Sequence, residues 1–345
     1  MSSGEKKMAE SWVITGGCGF IGRNLIRQLL LTGEKCIWVF DKAATESIGT
    51  IDKLVGSLPV KDINVELYAD LSNKTSNQGF VRLVNIDISN RKDLERYMPN
   101  DCNLVHLAAN SGVQLSITSP ELDFESNVEG VFNCLDVFRR KSKFKFIFAS
   151  SSAVLGEVGD VVHENLPANP ITPYGVSKLY GERIGSSFSQ IYGTKFVSLR
   201  FANVYGPHSG EKTSVVAKFL GNAIKGKTII INGDGRQTRD FIYVNDLVDA
   251  IISAAQKNIN NEIFQISSNT QMTIRQVADR VQELGQKILS KHVHVSFGPE
   301  LQGDIRAIQC DNSKALRHLD WQPKVDFERG MQETFEWFMR NYNGT

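Results

Sequence analysis

Trp12-Val13-Ile14-Thr15-Gly16-Gly17-Cys18-Gly19-Phe20-Ile21-Gly22 decides the fold of this chain. The first four residues read as a short buried strand. The run Arg23 to Leu31 behind the glycines has helical periodicity and ends at Gly33. A second apolar run, Cys36 to Phe40, closes on Asp41. Strand, glycine turn, helix and second strand make the opening βαβ unit of a dinucleotide-binding sheet. Gly16 permits the tight turn, Gly19 lets a pyrophosphate approach the backbone, and Gly22 lets the helix pack close to the sheet. Phe20 and Ile21 sit at the helix N-terminus, whose unpaired N–H groups and partial positive charge suit phosphates. The spacing is Gly-x-x-Gly-x-x-Gly, one residue longer than the ordinary fingerprint.

Asp41 stands 19 residues beyond Gly22. A carboxylate there accepts hydrogen bonds from the adenosine ribose and repels a 2′-phosphate, so NAD is expected rather than NADP. Lys42, beside it, belongs to the same expected contact.

Tyr174-Gly175-Val176-Ser177-Lys178 puts a phenol and an ammonium four residues apart, with Ser150, Ser151 and Ser152 about 23 residues upstream. On a helix, positions i and i+4 share a face. Lys178 is then expected to lower the pKa of Tyr174, which is otherwise a poor base at neutral pH. Such a pair can take a proton from an alcohol while a hydride leaves the same carbon.

Together these stretches resemble the extended, nucleotide-sugar-modifying branch of the short-chain dehydrogenase/reductase superfamily, from Trp12 to about Pro323. The resemblance implies further contacts. Asp87-Ile88 would meet the adenine. Leu107, Ala108 and Ala109, after His106, would line the cofactor, with Asn127 and Phe201 near it. Ser151 matches the catalytic hydroxyl, counted back from Gly156, and Ser152 is the adjacent candidate. Asn203 would contact the sugar-linked diphosphate. Arg239, in Gly233 to Val244, and Arg306, in Gly303-Asp304-Ile305-Arg306, would clamp phosphate as bidentate guanidinium forks. Ile308 falls where members set room for the C2 substituent. Two positions depart from the pattern: Leu155 replaces a usual Tyr, and Leu301 stands where many epimerases carry Arg.

The residues beside Ser151 discriminate between reactions. The resembled sugar 4,6-dehydratases carry an Asp-Glu pair there, and the UDP-glucuronate decarboxylases a Glu. This chain has Ser152 and Ala153. Without an extra acid or base, the redox step has no group to drive elimination. The expected activity is therefore an NAD-dependent UDP-sugar 4-epimerisation through a transient 4-keto sugar. The sugar could be glucose/galactose, an N-acetylhexosamine or a uronic acid. A dehydratase, decarboxylase or reductase on the same scaffold is the alternative, and a non-catalytic dinucleotide sensor a third reading. The family implies a homodimer through Phe124–Arg140 and Tyr174–Tyr192.

Composition bounds the rest. The chain has 345 residues, with 39 basic against 38 acidic and a net charge of +1, so no global charge favours nucleic acid or membrane. Five scattered cysteines lack metal-ligand spacing and suit a reducing cytosol. No metal is expected. No run is long and apolar enough for a bilayer, and Met1 to Glu10 lacks the apolar core of a signal peptide. A cytoplasmic location is expected.

Apolar runs at Trp12–Thr15, Cys36–Phe40, Val81–Ile86, Leu104–Leu107, Phe144–Ala149, Phe196–Arg200 and Ile263–Ile266 alternate with helical stretches. That pattern predicts an α/β fold: a Rossmann-type doubly wound parallel sheet with a smaller, interleaved carboxyl-terminal substrate-binding domain. The expected NAD-binding domain covers 11–203 plus 239–266, and the nucleotide-sugar domain 204–238 plus 267–345.

Overall fold

A computed structural model describes residues 11–68, 79–159, 161–301, 306 and 309–342. Gly303, Asp304, Ile305 and Ile308 lie outside the described residues.

The chain opens with β1 (Ser11–Thr15), α1 (Phe20–Leu31), β2 (Cys36–Asp41), α2 (Ala44–Gly56), β3 (Ile63–Leu67), β4 (Gly79–Asn85), α3 (Arg91–Tyr97) and β5 (Cys102–His106). Then come α4 (Val113–Thr118), α5 (Pro120–Phe124), a π-turn (Glu125–Glu129), α6 (Gly130–Lys141), β6 (Lys145–Ser151), α7 (Pro173–Tyr192) and β7 (Lys195–Phe201). The last part holds β8 (Asn203–Tyr205), α8 (Val215–Ile224), β9 (Ile229–Asn232), β10 (Thr238–Tyr243), α9 (Val244–Gln256), β11 (Glu262–Ile266) and β12 (Gln271–Thr273). It ends with α10 (Ile274–Leu284), β13 (Val295–Gly298), α11 (Ser313–Leu319) and α12 (Phe327–Tyr342).

Eight strands form one sheet in the order β11-β7-β6-β5-β1-β2-β4-β3, every neighbouring pair parallel. The order turns back at β1, which pairs with β2 on one side and β5 on the other. Ligands of such sheets bind beyond the strands' carboxyl ends at that switch point. The sheet is covered on both faces, as a parallel sheet must be. Leu25, Leu29, Ile51, Leu247 and Ile251 from α1, α2 and α9 pack one side. Leu94, Val131, Phe138 and Phe188 from α3, α6 and α7 pack the other.

All seven strands expected from sequence lie in this sheet. The eighth, β3, escaped notice because it is an edge: its residues are all half-buried or exposed, and it carries no apolar run. A separate core joins Tyr205, Phe219, Phe241, Val277, Phe335 and Phe338 over a three-stranded sheet, β12-β10-β8. The stretch read as one helix over Phe124–Arg140 is interrupted by the π-turn, which contains Asn127.

Candidate active site

The glycine turn is shaped by close approach. Gly16 has φ +69°, and a Cβ there would lie 2.7 Å from the Ala108 backbone nitrogen; one on Gly22 would lie 2.4 Å from Gly17 Cα. Gly19 is exposed and caps α1 with no side chain, leaving the first-turn N–H groups available to an anion. Asp41 ends β2 with one oxygen accepting from Cys18 N–H at 3.0 Å and the other from Ala43 N–H at 2.9 Å. Its carboxylate is thereby held at the mouth of the turn; Lys42 is exposed beside it. Two buried donors in this region, Arg23 Nε and Asn110 Nδ2, have no hydrogen-bond partner among the described residues. A turn too narrow for side chains, a fixed carboxylate and waiting donors together fit a dinucleotide.

Asp87 closes a turn on Ser89 N–H and Oγ at 3.0 and 2.9 Å, and Ile88 is buried against Gly130. Leu107 N–H donates to Thr15 O at 3.1 Å, which carries β5 into the half-buried Leu107-Ala108-Ala109 segment beside the turn. Asn127 is 1% exposed and holds Asn110 by both backbone groups, at 2.9 and 3.1 Å. It fixes the β5 loop, and its amide also reaches Asp123 at 2.8 Å and Ser177 at 3.3 Å.

Helix α7 carries the phenol and the ammonium. Thr172 accepts from Gly175 N–H as its N-cap, Pro173 fills its first turn, and left-handed Gly193 ends it. Tyr174 hydrogen-bonds Ser151 at the end of β6, and Ser116 of α4 accepts from Tyr174 N–H at 3.1 Å. Lys178 is buried, donates to Ala149 O at 2.9 Å, and lies 5.6 Å from the Tyr174 ring centroid.

The electrostatics differ from the expectation of a lowered phenol. Burial pushes Tyr174 up to about 12; the Ser151 hydrogen bond lowers it and the Asp123 carboxylate raises it again. Burial also brings Lys178 down to about 8, with Asp123 raising and Lys212 lowering it. Desolvation therefore outweighs the Ser151 hydrogen bond, and Tyr174 rests as a neutral phenol at neutral pH.

Sequence reasoning overlooked what supports this helix. A Cβ on Gly181 would lie 2.2 Å from Phe148, and one on Gly185 would lie 2.1 Å from Phe196, so α7 presses directly on β6 and β7. Between these glycines, Glu182 is fully buried. It accepts Arg200 Nε and one terminal nitrogen, both at 2.8 Å, and Ser150 Oγ at 2.6 Å. The detectable signal was a Glu four residues after Lys178, on the same face.

The structure does not bring Ser152 to Tyr174. Its hydroxyl is buried toward Phe201 O at 3.3 Å and accepts from Gln265 Nε2 at 2.9 Å. Phe201 is half-buried at the end of β7, and Asn203 is exposed at the start of β8. Arg239, on β10, donates to Thr238 O at 2.7 Å. Arg306 forms a two-point ion pair with Asp234 at 3.0 and 2.9 Å, both exposed. It is engaged at the surface by protein rather than held open.

His106 gives a pH prediction. Its ring is wholly buried, stacked on Phe146 and Phe148, with Nδ1 3.0 Å from Thr15 Oγ1. Burial first, and then Lys178, lower it to about 3. Below pH ~6.5 the unfolded chain binds a proton that the folded chain refuses, so stability falls with falling pH by up to ~1.4 kcal/mol per unit. Urea midpoints from pH 4 to 6 are expected to fall more steeply for wild type than for His106→Gln. Parallel curves would show that this imidazole titrates normally.

No helix among the described residues is long and apolar enough to cross a membrane, and no metal-holding group of His, Cys, Asp and Glu occurs among them. The family described as GDP-mannose 4,6 dehydratase matches residues 13–334. A putative UDP-glucose 4-epimerase of Methanocaldococcus jannaschii is 31% identical over 96% of this chain and 99% of its own. The UDP-glucose 4-epimerase of Thermotoga maritima, solved with UDP-glucose, superposes with a TM-score of 0.79 at 29% identity, covering 96% of this chain and all of that one. The UDP-glucuronic acid 4-epimerase of Bacillus cereus, solved with UDP-glucuronic acid and NAD, gives 0.80 at 26% identity over 96% of this chain and 100% of its own. Decarboxylases and dTDP-glucose dehydratases are also among the relatives.

Proposed function

For a chain that belongs to the extended short-chain dehydrogenase/reductase family of NAD-dependent nucleotide-sugar epimerases and dehydratases, we propose a UDP-sugar 4-epimerase. The observation that carries this reading is the Tyr174–Ser151 hydrogen bond over buried Lys178, at the strand ends that also carry the glycine turn.

The turn Gly16–Gly22, with Asp41 at its mouth and the segments at 87–88 and 107–109 beside it, would hold NAD. Bound in its oxidised form, NAD supplies a hydride acceptor and a positive charge. The chain's own part is to bind the sugar and handle one proton. A positive charge held beside Tyr174 would lower a phenol that burial has raised. Tyr174 then takes the proton of the C4 hydroxyl, with Ser151 bonded to the same oxygen pair. Neutral Tyr174 returns that proton to the 4-keto oxygen after the sugar has turned over. Lys178, buried beneath Tyr174, supplies charge there and would anchor the nicotinamide ribose. Asn203 and Arg239 would hold the diphosphate, and Arg306 would join them only by leaving Asp234.

Positions 152 and 153 favour epimerisation over elimination. Ser152 is committed to Gln265 and Phe201, and Ala153 has no acid or base. Asp123 influences Tyr174 electrostatically but is buried on Asn127. The test is incubation with UDP-glucose, UDP-N-acetylglucosamine and UDP-glucuronate, followed by product NMR and mass. The expected result is a C4 epimer of unchanged mass with no net NADH. Loss of water would assign the chain to the dehydratases, and loss of CO2 to the decarboxylases.

The homodimer belongs to the same reading. Phe124, Phe132, Val176, Ile191 and Tyr192 are exposed on or beside α6 and α7. A second copy meeting this face would cover them. Five free cysteines suit a cytoplasmic setting.

A further inference from the structure

We infer that residues 206–212 form a strap over bound NAD, fastened at its far end by a latch between Lys212 and Ser111 that sets how fast the dinucleotide enters and leaves. The inference goes beyond the proposed reaction and needs only NAD on the glycine turn.

The strap follows β8 and is tied twice to the nucleotide side. At its near end, Asn24 Nδ2 of α1 donates to Pro207 O at 2.9 Å and to Phe20 O at 2.9 Å. Phe20 opens α1, so this tie lies at the helix N-terminus, beside the glycine turn. At the far end, Lys212 Nζ donates to Ser111 Oγ at 2.9 Å, in the loop that carries β5 into α4.

The two ties belong to opposite faces of the sheet. Helix α1 packs with α2 and α9 on one face. Helix α4 is joined to α7 of the other face, Ser116 accepting from Tyr174 N–H. Strands β1 and β5 are direct neighbours, in register from Ser11 opposite Cys102 to Thr15 opposite His106. A segment fastened to the first turns of α1 and to the loop after β5 therefore crosses the carboxyl edge of these two strands. The steps from Pro207 to Lys212 span at most about 18 Å, which leaves no longer way round. Beneath the crossing lies the glycine turn, with Gly16 against Ala108. That is the switch point at which a dinucleotide binds.

The strap keeps its own shape. Ser209 is 1% exposed; its hydroxyl donates to Gly206 O at 2.7 Å, and its carbonyl accepts from Lys212 N–H at 2.9 Å. The His208 ring lies 5.0 Å from that of Trp337 on α12. Opening thus needs a tie to release rather than the strap to unfold. The ties are unequal. Asn24 is 3% exposed, whereas Lys212 and Ser111 are both exposed. The far bond competes with water and is the one that lets go.

The test loads the full chain with NAD labelled in the adenine and chases it with excess unlabelled NAD. Retained label against time gives the release rate, and calorimetric titration gives Kd. Lys212→Met and Ser111→Ala are each expected to speed release roughly 2–10-fold, the worth of one hydrogen bond. The double variant should be no faster than either single one, because both remove the same contact. Kd should rise by less than the release rate, because a latch that touches no ligand atom slows entry as well as exit. Lys212→Arg, which keeps a donor, should release at close to the wild-type rate. Unchanged release in both single variants would overturn the inference. So would faster release in Lys212→Met alone, or Kd and release rising by one common factor, since either makes Lys212 a direct contact of the dinucleotide. NAD binding by each variant checks its fold. No sugar is present, so either result leaves the epimerase assignment to its own test.

Discussion

Replacing Tyr174 with phenylalanine is expected to lower kcat for sugar interconversion by roughly 10²–10⁴-fold, the ordinary worth of a positioned acid–base group. NAD binding should survive. Phenylalanine keeps the ring that lies 5.6 Å from Lys178 and removes only the hydroxyl bonded to Ser151. The Lys178 bond to Ala149 O, the glycine turn and the Asp41 contacts do not involve that oxygen. Initial rates with each UDP-sugar, beside an NAD titration, separate the effects. A variant that turns over at the wild-type rate would remove Tyr174 from the chemistry. One that also loses NAD would make the phenol a packing element instead.

The features most readable from sequence are those where backbone geometry leaves one residue type. Gly16 and Gly22 had to be glycine because a Cβ would strike Ala108 or Gly17. The strands announced themselves through unbroken apolar runs because a covered parallel sheet buries both faces. Tyr174 and Lys178 were readable from helical spacing taken together with the glycine turn at the other end of the chain. Their electrostatics were not, because desolvation depends on the surrounding chain: burial raises the phenol that a neighbouring cation was expected to lower. Asp123 and Glu182 were missed for a related reason. An acid on a helix ordinarily reads as a solvated face. Their roles come from Asn127 in the π-turn and from Arg200 on the sheet beneath. Likewise, nothing at position 152 announces that its hydroxyl turns toward Gln265 rather than Tyr174. Ser150 and Ser151 end β6, whereas Ser152 opens a 3-10 turn, and that change of backbone sets where its hydroxyl goes.

Glu182 and Arg200 give the largest expected change in stability. Their side chains are 1% and 3% exposed, and they meet through two hydrogen bonds of 2.8 Å. Arg200→Met removes the cation and strands a buried carboxylate that keeps only the Ser150 hydroxyl, at 2.6 Å. Breaking a buried pair this way costs about 3–5 kcal/mol. The pair itself is worth far less, because both ions lost their hydration on burial. The double variant Glu182→Leu with Arg200→Met should therefore recover most of the loss, seen as a return of the urea midpoint. The same cycle separates stability from function. Glu182 lies one turn beyond Lys178, and its partner Ser150 precedes Ser151, so the pair ties the helix bearing the phenol to the strand bearing its hydroxyl partner. The double variant should fold yet show a lower kcat than wild type, because that tie is gone while the core is apolar and intact. Additive single-site losses in the midpoints would mean that the two side chains do not act as a unit. Full activity in the double variant would confine the pair to holding the fold.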